Sequence, residues 1–193
     1  MTKICKDMPK YARIIEKLRK VKRLEKPENT ENMRKIKILF ICHGNICRSP
    51  MAEFVLKDMV SKRGIAEQFE IASAATSTEE IWNGVGNPVY PPAKAELAKH
   101  GISCEGKRAV QLKASDYDYY DYLIGMDNMN IRNMERMTNH KKGEKIALML
   151  EYAGMIGSEC QDPWYNSRFD QAYRDVVTGC TAFLEYLEKE GKI

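Results

Sequence analysis

Ile36-Lys37-Ile38-Leu39-Phe40-Ile41 running into Cys42-His43-Gly44-Asn45-Ile46-Cys47-Arg48-Ser49-Pro50 is the stretch that decides the fold. Six mostly apolar residues read as a buried strand, and the polar loop after them leads straight into a helix-like segment over 50–63. The same alternation continues along the chain. Apolar runs at 69–74, 121–125 and 145–150 predict three more strands, and segments at 92–100, 128–137 and 169–189 predict helices. Strands alternating with helices imply right-handed βαβ crossovers. The expected fold class is therefore α/β, with a four-stranded parallel sheet and helices on both faces, a three-layer αβα arrangement. No internal repeat or low-complexity tract interrupts it.

The chain has 193 residues, 44% hydrophobic and 30% charged, which suits one globular domain with a short appendage and excludes a wholly disordered chain. Its net charge of +4 is uneven: residues 1–35 carry twelve Lys/Arg against five Asp/Glu, net +7, leaving net −3 for 36–193. The excess that would suggest nucleic-acid binding is confined to the first segment, so no nucleic-acid partner is expected. Residues 9–26 predict an amphipathic basic helix opened by Pro9 and stopped by Pro27. Three readings stay open for it: a membrane-surface or partner helix, a solvated appendage docked on its own domain, or a leader upstream of a natural start at Met33. The expected division is an extension and linker over 1–34 and a domain over 35–193. With no long apolar run and no secretory pattern, the expected location is cytoplasmic. Cysteines 5, 42, 47, 104, 160 and 180 then read as buried or catalytic thiols, and the scattered His43, His100 and His140 predict no metal site.

In parallel sheets ligands bind beyond the carboxyl ends of the strands, so the loop after the first strand is the place to look. A loop entering a helix N-terminus offers backbone N–H groups and the positive end of the helix dipole, a setting for an anion. Pro50 suits the first helical turn and Ser49 the cap. Gly44 lets the backbone curl, and Asn45 tolerates left-handed backbone. Cys42 and Arg48 bracket the loop. Curled around a tetrahedral anion, it would place sulfur beneath and a bidentate guanidinium beside. Positive surroundings favour the thiolate, making Cys42 a nucleophile, with a hydrogen bond from Ser49. That arrangement suggests phosphoryl transfer through a phosphocysteine. The leaving oxygen then needs a proton and the later water a base. Asp162, in Gln161-Asp162-Pro163-Trp164-Tyr165-Asn166 after the fourth strand, is the best acid available, with Trp164 and Tyr165 as an apolar wall for an aryl group.

These residues resemble the low-molecular-weight protein tyrosine phosphatases. The resemblance rests on residues 42–50 and Asp162-Pro163-Trp164-Tyr165, and it extends through Ser73-Ala74-Ala75-Thr76, Gly86-Asn87-Pro88, His100-Gly101-Ile102 and Met126-Asp127. It covers 36 to about 187 and leaves out 1–32. It implies a flavodoxin-like sheet and a metal-independent, cofactor-free phosphatase acting on phosphotyrosine proteins and small aryl phosphates, with inorganic phosphate as product. Cys42 falls on the nucleophile, Arg48 on the phosphate-binding arginine and Asp162 on the general acid and base. Residues 43–48 (His43, Gly44, Asn45, Ile46, Cys47, Arg48) form the phosphate-binding loop; Asn45, Ser49 and Asp127 support it; Ile46, Trp82, Trp164 and Tyr165 line the substrate cleft. Cys47 resembles a second loop cysteine that can form a reversible disulfide with the nucleophile. His43 stands at an often apolar position and is expected to point to solvent. Asn166 replaces a common glycine and is expected to supply left-handed backbone.

Two other functions use the same residues. An arsenate reductase on this fold needs two further redox cysteines on a mobile segment, and Cys104, Cys160 and Cys180 do not form the close pair expected. A silent phosphate-binding scaffold recruited by its basic helix would not need Cys42, Arg48, Ser49 and Asp162 together.

Overall fold

A computed structural model describes residues 34–143 and 145–193. The segment 9–26 lies outside the described residues.

Strand β1 (Ile36–Cys42) leads through the loop to helix α1 (Arg48–Lys62) and then to β2 (Phe69–Ala75). A hairpin of β3 (Ile81–Trp82) and β4 (Val85–Gly86) follows, then α2 (Pro91–Lys99), the single-turn α3 (Asp116–Tyr119) and β5 (Tyr122–Gly125). Helix α4 (Asn128–Thr138), β6 (Ile146–Leu148), a 3-10 turn at Met149–Ala153, the short α5 (Pro163–Asn166) and the long α6 (Phe169–Lys189) complete the domain.

The main sheet has the order β2-β1-β5-β6, and every pairing in it is parallel. The chain moves outward from β1 to β2 and then crosses to β5 on the other side, so the switch point lies at the carboxyl end of β1. Alternation along β1 explains its apolar run. Ile38, Phe40 and Cys42 join the larger core with Met51, Leu56, Phe183 and Leu187 of α1 and α6. Leu39 and Ile41 join a second core with Leu123, Ile131, Met134 and Ile146. Both faces are covered, so the strand has no polar side to show.

The structure departs from the sequence reading chiefly at one strand, one helix start and one hairpin. The last strand stops at Leu148 rather than running to 150. As an edge strand it pairs only with the four-residue β5, which gives partners to Ile146, Ala147 and Leu148 alone. Met149 and Leu150 are buried by the 3-10 turn instead. Helix α1 begins at Arg48, two residues before Pro50, so Ser49 lies inside the first turn and is not its cap. The hairpin was not expected as structure. Asn83 and Gly84 at its tip both have positive φ, 49° and 78°, as a two-residue turn of this kind requires. Gly86 is needed there because a Cβ on it would lie 1.8 Å from the Ala109 carbonyl oxygen.

Candidate active site

The loop between β1 and α1 is held from outside by backbone bonds. Thr76 N–H donates to the Cys42 carbonyl at 3.0 Å, Ser77 N–H to that of His43 at 3.0 Å, and Tyr90 N–H to that of Ile46 at 2.9 Å. Asn45 takes the left-handed conformation (φ 57°) that lets the loop curl, and its N–H points at the Cys42 sulfur from 3.3 Å. Cys47 is the N-cap of α1 but makes no side-chain capping bond. The first-turn N–H groups thus meet no capping side chain, and the end of the helix is available for an anion.

Ser49, displaced from the cap, turns its hydroxyl to the Cys42 sulfur at 3.0 Å. Asn45 braces that hydroxyl: its Nδ2 donates to Ser49 Oγ at 2.9 Å and to Ser73 Oγ at 2.8 Å, while its Oδ1 accepts from Val110 N–H at 3.1 Å. The sulfur thus faces a backbone N–H and a hydroxyl, and in the Cys42–Ser49 pair either group can donate.

Arg48 is buried and held by three elements. Its Nη1 donates to Asp127 Oδ2 at 2.7 Å and to the Cys160 carbonyl at 3.3 Å; its Nη2 donates to Asp162 Oδ2 at 2.6 Å. Burial alone would lower the Arg48 pKa, but Cys42, Asp162 and Asp127 outweigh it and raise it above its ordinary value. The cation is permanent. Each carboxylate uses its other oxygen to cap its own helix: Asp127 Oδ1 accepts from Asn130 N–H at 2.7 Å, and Asp162 Oδ1 from Trp164 N–H at 3.0 Å.

These groups border a cavity of about 690 Å³ lined by His43, Ile46, Arg48, Asp162, Trp164 and Tyr165 among others. Cys42 lies buried at the foot of the loop. Cys47 also lines the cavity, but burial, followed by the nearby Cys42 and Asp162, pushes its thiol up to about 12. A family model described as low molecular weight phosphotyrosine protein phosphatase matches residues 37–193. The chain belongs to that family.

Its relatives span nearly their whole length on this chain. A Bacillus subtilis low molecular weight protein-tyrosine-phosphatase, YfkJ, is 34% identical over 159 residues, 82% of this chain and 99% of the relative. Its crystal structure superposes with a TM-score of 0.76 over 82% of this chain and 98% of that one, at 33% identity. The human low molecular weight phosphotyrosine protein phosphatase is 38% identical over 152 residues, 77% of this chain and 93% of its own. The structure of a Drosophila arginine phosphatase also matches, with a TM-score of 0.69 and 30% identity over 78% of this chain and 96% of that one.

The structure brings Cys42, Asn45 and Ser49 into one hydrogen-bonded group and Arg48, Asp127 and Asp162 into another, both held by the loop after β1. His43 turns its ring to Glu79 at 2.9 Å, in an exposed pair whose two residues both line the cavity. Trp82 is placed differently from the cleft expected of it. It is 71% exposed and is not among the residues lining the cavity, because Ile81 takes the inward side of β3 and the next side chain must point outward. Asn166 is the last residue of α5, and the left-handed position falls one residue later, at Ser167 with φ 55°. Asn166 instead braces the acid loop: its Nδ2 donates to Gln161 Oε1, and its Oδ1 accepts from Arg168 N–H, both at 2.9 Å.

The sequence reading missed other contributors. Glu79, Glu80, Met129, Arg132 and Glu159 also line the cavity, and Tyr90 backs Trp164 with ring centroids 5.3 Å apart. Buried Asn130 faces it too, and among the described residues its Nδ2 has no hydrogen-bond partner. Asn83-Gly84 was a readable hairpin signal. The remaining contributors carry no local signature.

Proposed function

We propose that this chain hydrolyses phosphotyrosine in proteins and small aryl phosphates through a phosphocysteine on Cys42. The observation that carries the reading is the convergence of a hydrogen-bonded sulfur, an uncapped helix N-terminus and the Arg48 fork, with Asp162 on the same guanidinium. The Cys42 thiolate attacks phosphorus, the ester P–O bond breaks, and Asp162 gives its proton to the departing phenolate oxygen. Asp162 then takes a proton from water. The hydroxide attacks phosphorus, the S–P bond breaks, and inorganic phosphate leaves with the thiolate restored. Arg48 and the first-turn N–H groups hold the equatorial oxygens through both steps. Ile46, Trp164 and Tyr165 offer apolar surface to an aryl group, while Trp82 belongs to a more distant rim.

Residues 35–193 form the catalytic unit in this reading, and 1–34 an N-terminal extension in sequence. A cytoplasmic location goes with it, supported by five free cysteines among the described residues. In an arsenate reductase, two of Cys104, Cys160 and Cys180 would have to relay electrons. Burial instead pushes the Cys160 thiol up to about 12 and the Cys180 thiol well above its ordinary value, and it also raises the Cys104 thiol. Turnover of 4-nitrophenyl phosphate in EDTA, abolished by Cys42→Ser, is the expected result. Activity surviving that substitution sinks the mechanism, and faster turnover of phosphoarginine than of phosphotyrosine peptides would reassign the substrate.

A further inference from the structure

The cavity carries charges of both signs outside the Arg48 cluster. Glu79 and Glu80 precede β3, Glu159 precedes the acid loop, and Arg132 belongs to α4; all four line the cavity. With net −3 over residues 36–193, a count of charges favours substrates that have basic residues around the phosphotyrosine. The hydrogen bonds reverse that preference.

Each of the three glutamates already has a partner. Glu79 meets the His43 ring at 2.9 Å. Glu80 Oε2 accepts from Asn87 Nδ2 at 2.7 Å, and its Cγ lies 2.9 Å from where a Cβ on Gly44 would stand, so the side chain rests against the loop. Glu159 Oε1 accepts from Asn128 N–H at 2.8 Å and from Asn128 Nδ2 at 2.7 Å, which ties it to the positive end of α4.

Arg132 differs. It is exposed, it has no ion pair among the described residues, and its Nη2 approaches only the Met129 sulfur, a weak acceptor, at 3.9 Å. On the same helix Asn130 Oδ1 accepts from Met126 N–H at 3.1 Å, which leaves its buried Nδ2 as a second donor without a partner among the described residues. The α4 side of the cavity thus has donors to spare, while the glutamates are engaged. Its reach suits a peptide. Asp127, which caps α4, holds Arg48, and Arg132 follows it by about 7.5 Å along the helix axis. Residues of an extended peptide are spaced by about 3.3–3.6 Å, so that interval spans about two of them.

We propose that Arg132 is a specificity-determining residue that pairs with an aspartate or glutamate of the substrate close to the phosphotyrosine. The guanidinium fork matches a carboxylate with two bonds. The pair stands at an exposed rim, which limits the preference it gives to about fivefold. The inference deepens the phosphatase reading and rests on it for its effect on turnover, but its effect on peptide binding is readable without turnover.

The test uses three phosphotyrosine peptides that differ only in the residues flanking the phosphotyrosine on both sides, which are glutamates, glutamines or lysines. The full-length parent is compared with Arg132→Gln, Arg132→Glu and Arg136→Gln. Arg136 is the charge control: it is exposed on α4, donates to Asn133 Oδ1 at 3.1 Å and does not line the cavity. The readouts are kcat/KM for each peptide and the Kd of each peptide for the same proteins carrying Cys42→Ser. The parent should favour the glutamate peptide over the glutamine peptide by roughly fivefold at about 0.05 M salt and lose most of that preference at about 0.5 M. Arg132→Gln should abolish the preference and Arg132→Glu turn it toward the lysine peptide, while Arg136→Gln should keep it within about twofold. The proposal is overturned if the parent prefers the lysine peptide or none, if Arg132→Gln keeps the parental preference, or if Arg136→Gln loses as much. A parent that turns over neither these peptides nor 4-nitrophenyl phosphate sinks the phosphatase reading instead, and the Kd values still decide this one.

Discussion

Arg48→Lys is the sharpest perturbation of the site, because it keeps the charge and removes only the fork. Two N–H groups of Arg48 now reach Asp127 at 2.7 Å and Asp162 at 2.6 Å from different nitrogens, and the guanidinium plane fixes their angle. A lysine ammonium is a single point and cannot hold both carboxylates and a phosphoryl group at those distances. In the transition state at least one charge-assisted N–H···O bond is lost, about 1.5–3 kcal/mol. At about 1.36 kcal/mol per decade this is a fall of roughly 10- to 150-fold in kcat/KM. Inhibition by inorganic phosphate should weaken in parallel, since the product uses the same fork.

The folded state loses something too. Asp127 and Asp162 are partly buried, with side chains 18% and 29% exposed, and one of them is left without its cation. A cost of about 1–3 kcal/mol follows, lowering the thermal midpoint by roughly 2–10 °C for a domain of this size. Steady-state kinetics on an aryl phosphate, phosphate inhibition and a thermal melt measure all three effects. A folded Arg48→Lys protein within about threefold of parental kcat/KM would refute the argument that bidentate geometry, rather than charge, makes the slot.

Two further outcomes follow from the same geometry. Asp162→Asn keeps shape and capping oxygen but loses the proton, so turnover should fall by roughly 100-fold or more, and more for phenyl phosphate than for 4-nitrophenyl phosphate; equal losses on both would show that Asp162 does not protonate the leaving oxygen. Burial holds the Cys47 thiol up at about 12, so it remains neutral until pH approaches that value; at pH 8 iodoacetate should therefore label Cys42 and spare Cys47, a result read by peptide mass, and double labelling would contradict the raised value.

What could be read from the chain was whatever its neighbours in sequence determine. The run from Ile36 to Ile41 is apolar on both alternations because both faces of β1 are covered, and that pattern survives without coordinates. Cys42 and Arg48 are bracketed by one loop, so their convergence follows from the strand, the turn and the helix. The length of β6 was not legible, since it is set by how many residues β5 offers across the sheet. Nor were the contacts among Glu53, Ser73 and Lys107: Ser73 meets Glu53 across 20 residues and Lys107 meets Ser73 across 34, and neither pairing leaves a local pattern. Trp82 lies between the two cases. The Asn83-Gly84 turn fixes only the register, setting Trp82 opposite Val85; which face of the hairpin turns inward is decided by the packing of Ile81 on the core.

Asp127 and Asp162 pose a question that neither sequence nor distance settles alone. Both cap a helix with Oδ1 and hold Arg48 with Oδ2, at nearly equal distances. Their surroundings separate them. Arg48 Nη1, the nitrogen on Asp127, is shared with the Cys160 carbonyl, and Asp127 is the less exposed of the two. Asp162 shares its short helix with Trp164 and Tyr165, which line the cavity where an aryl leaving group would lie. A general acid must reach the leaving oxygen, and we propose Asp162 for that role because it stands beside the aromatic side chains of that wall. In that proposal Asp127 has the complementary task of keeping one arm of the guanidinium in register. The fold meets this requirement by taking the two acids from different strand ends, one after β5 and one after β6, and closing them on a single arginine from the loop after β1.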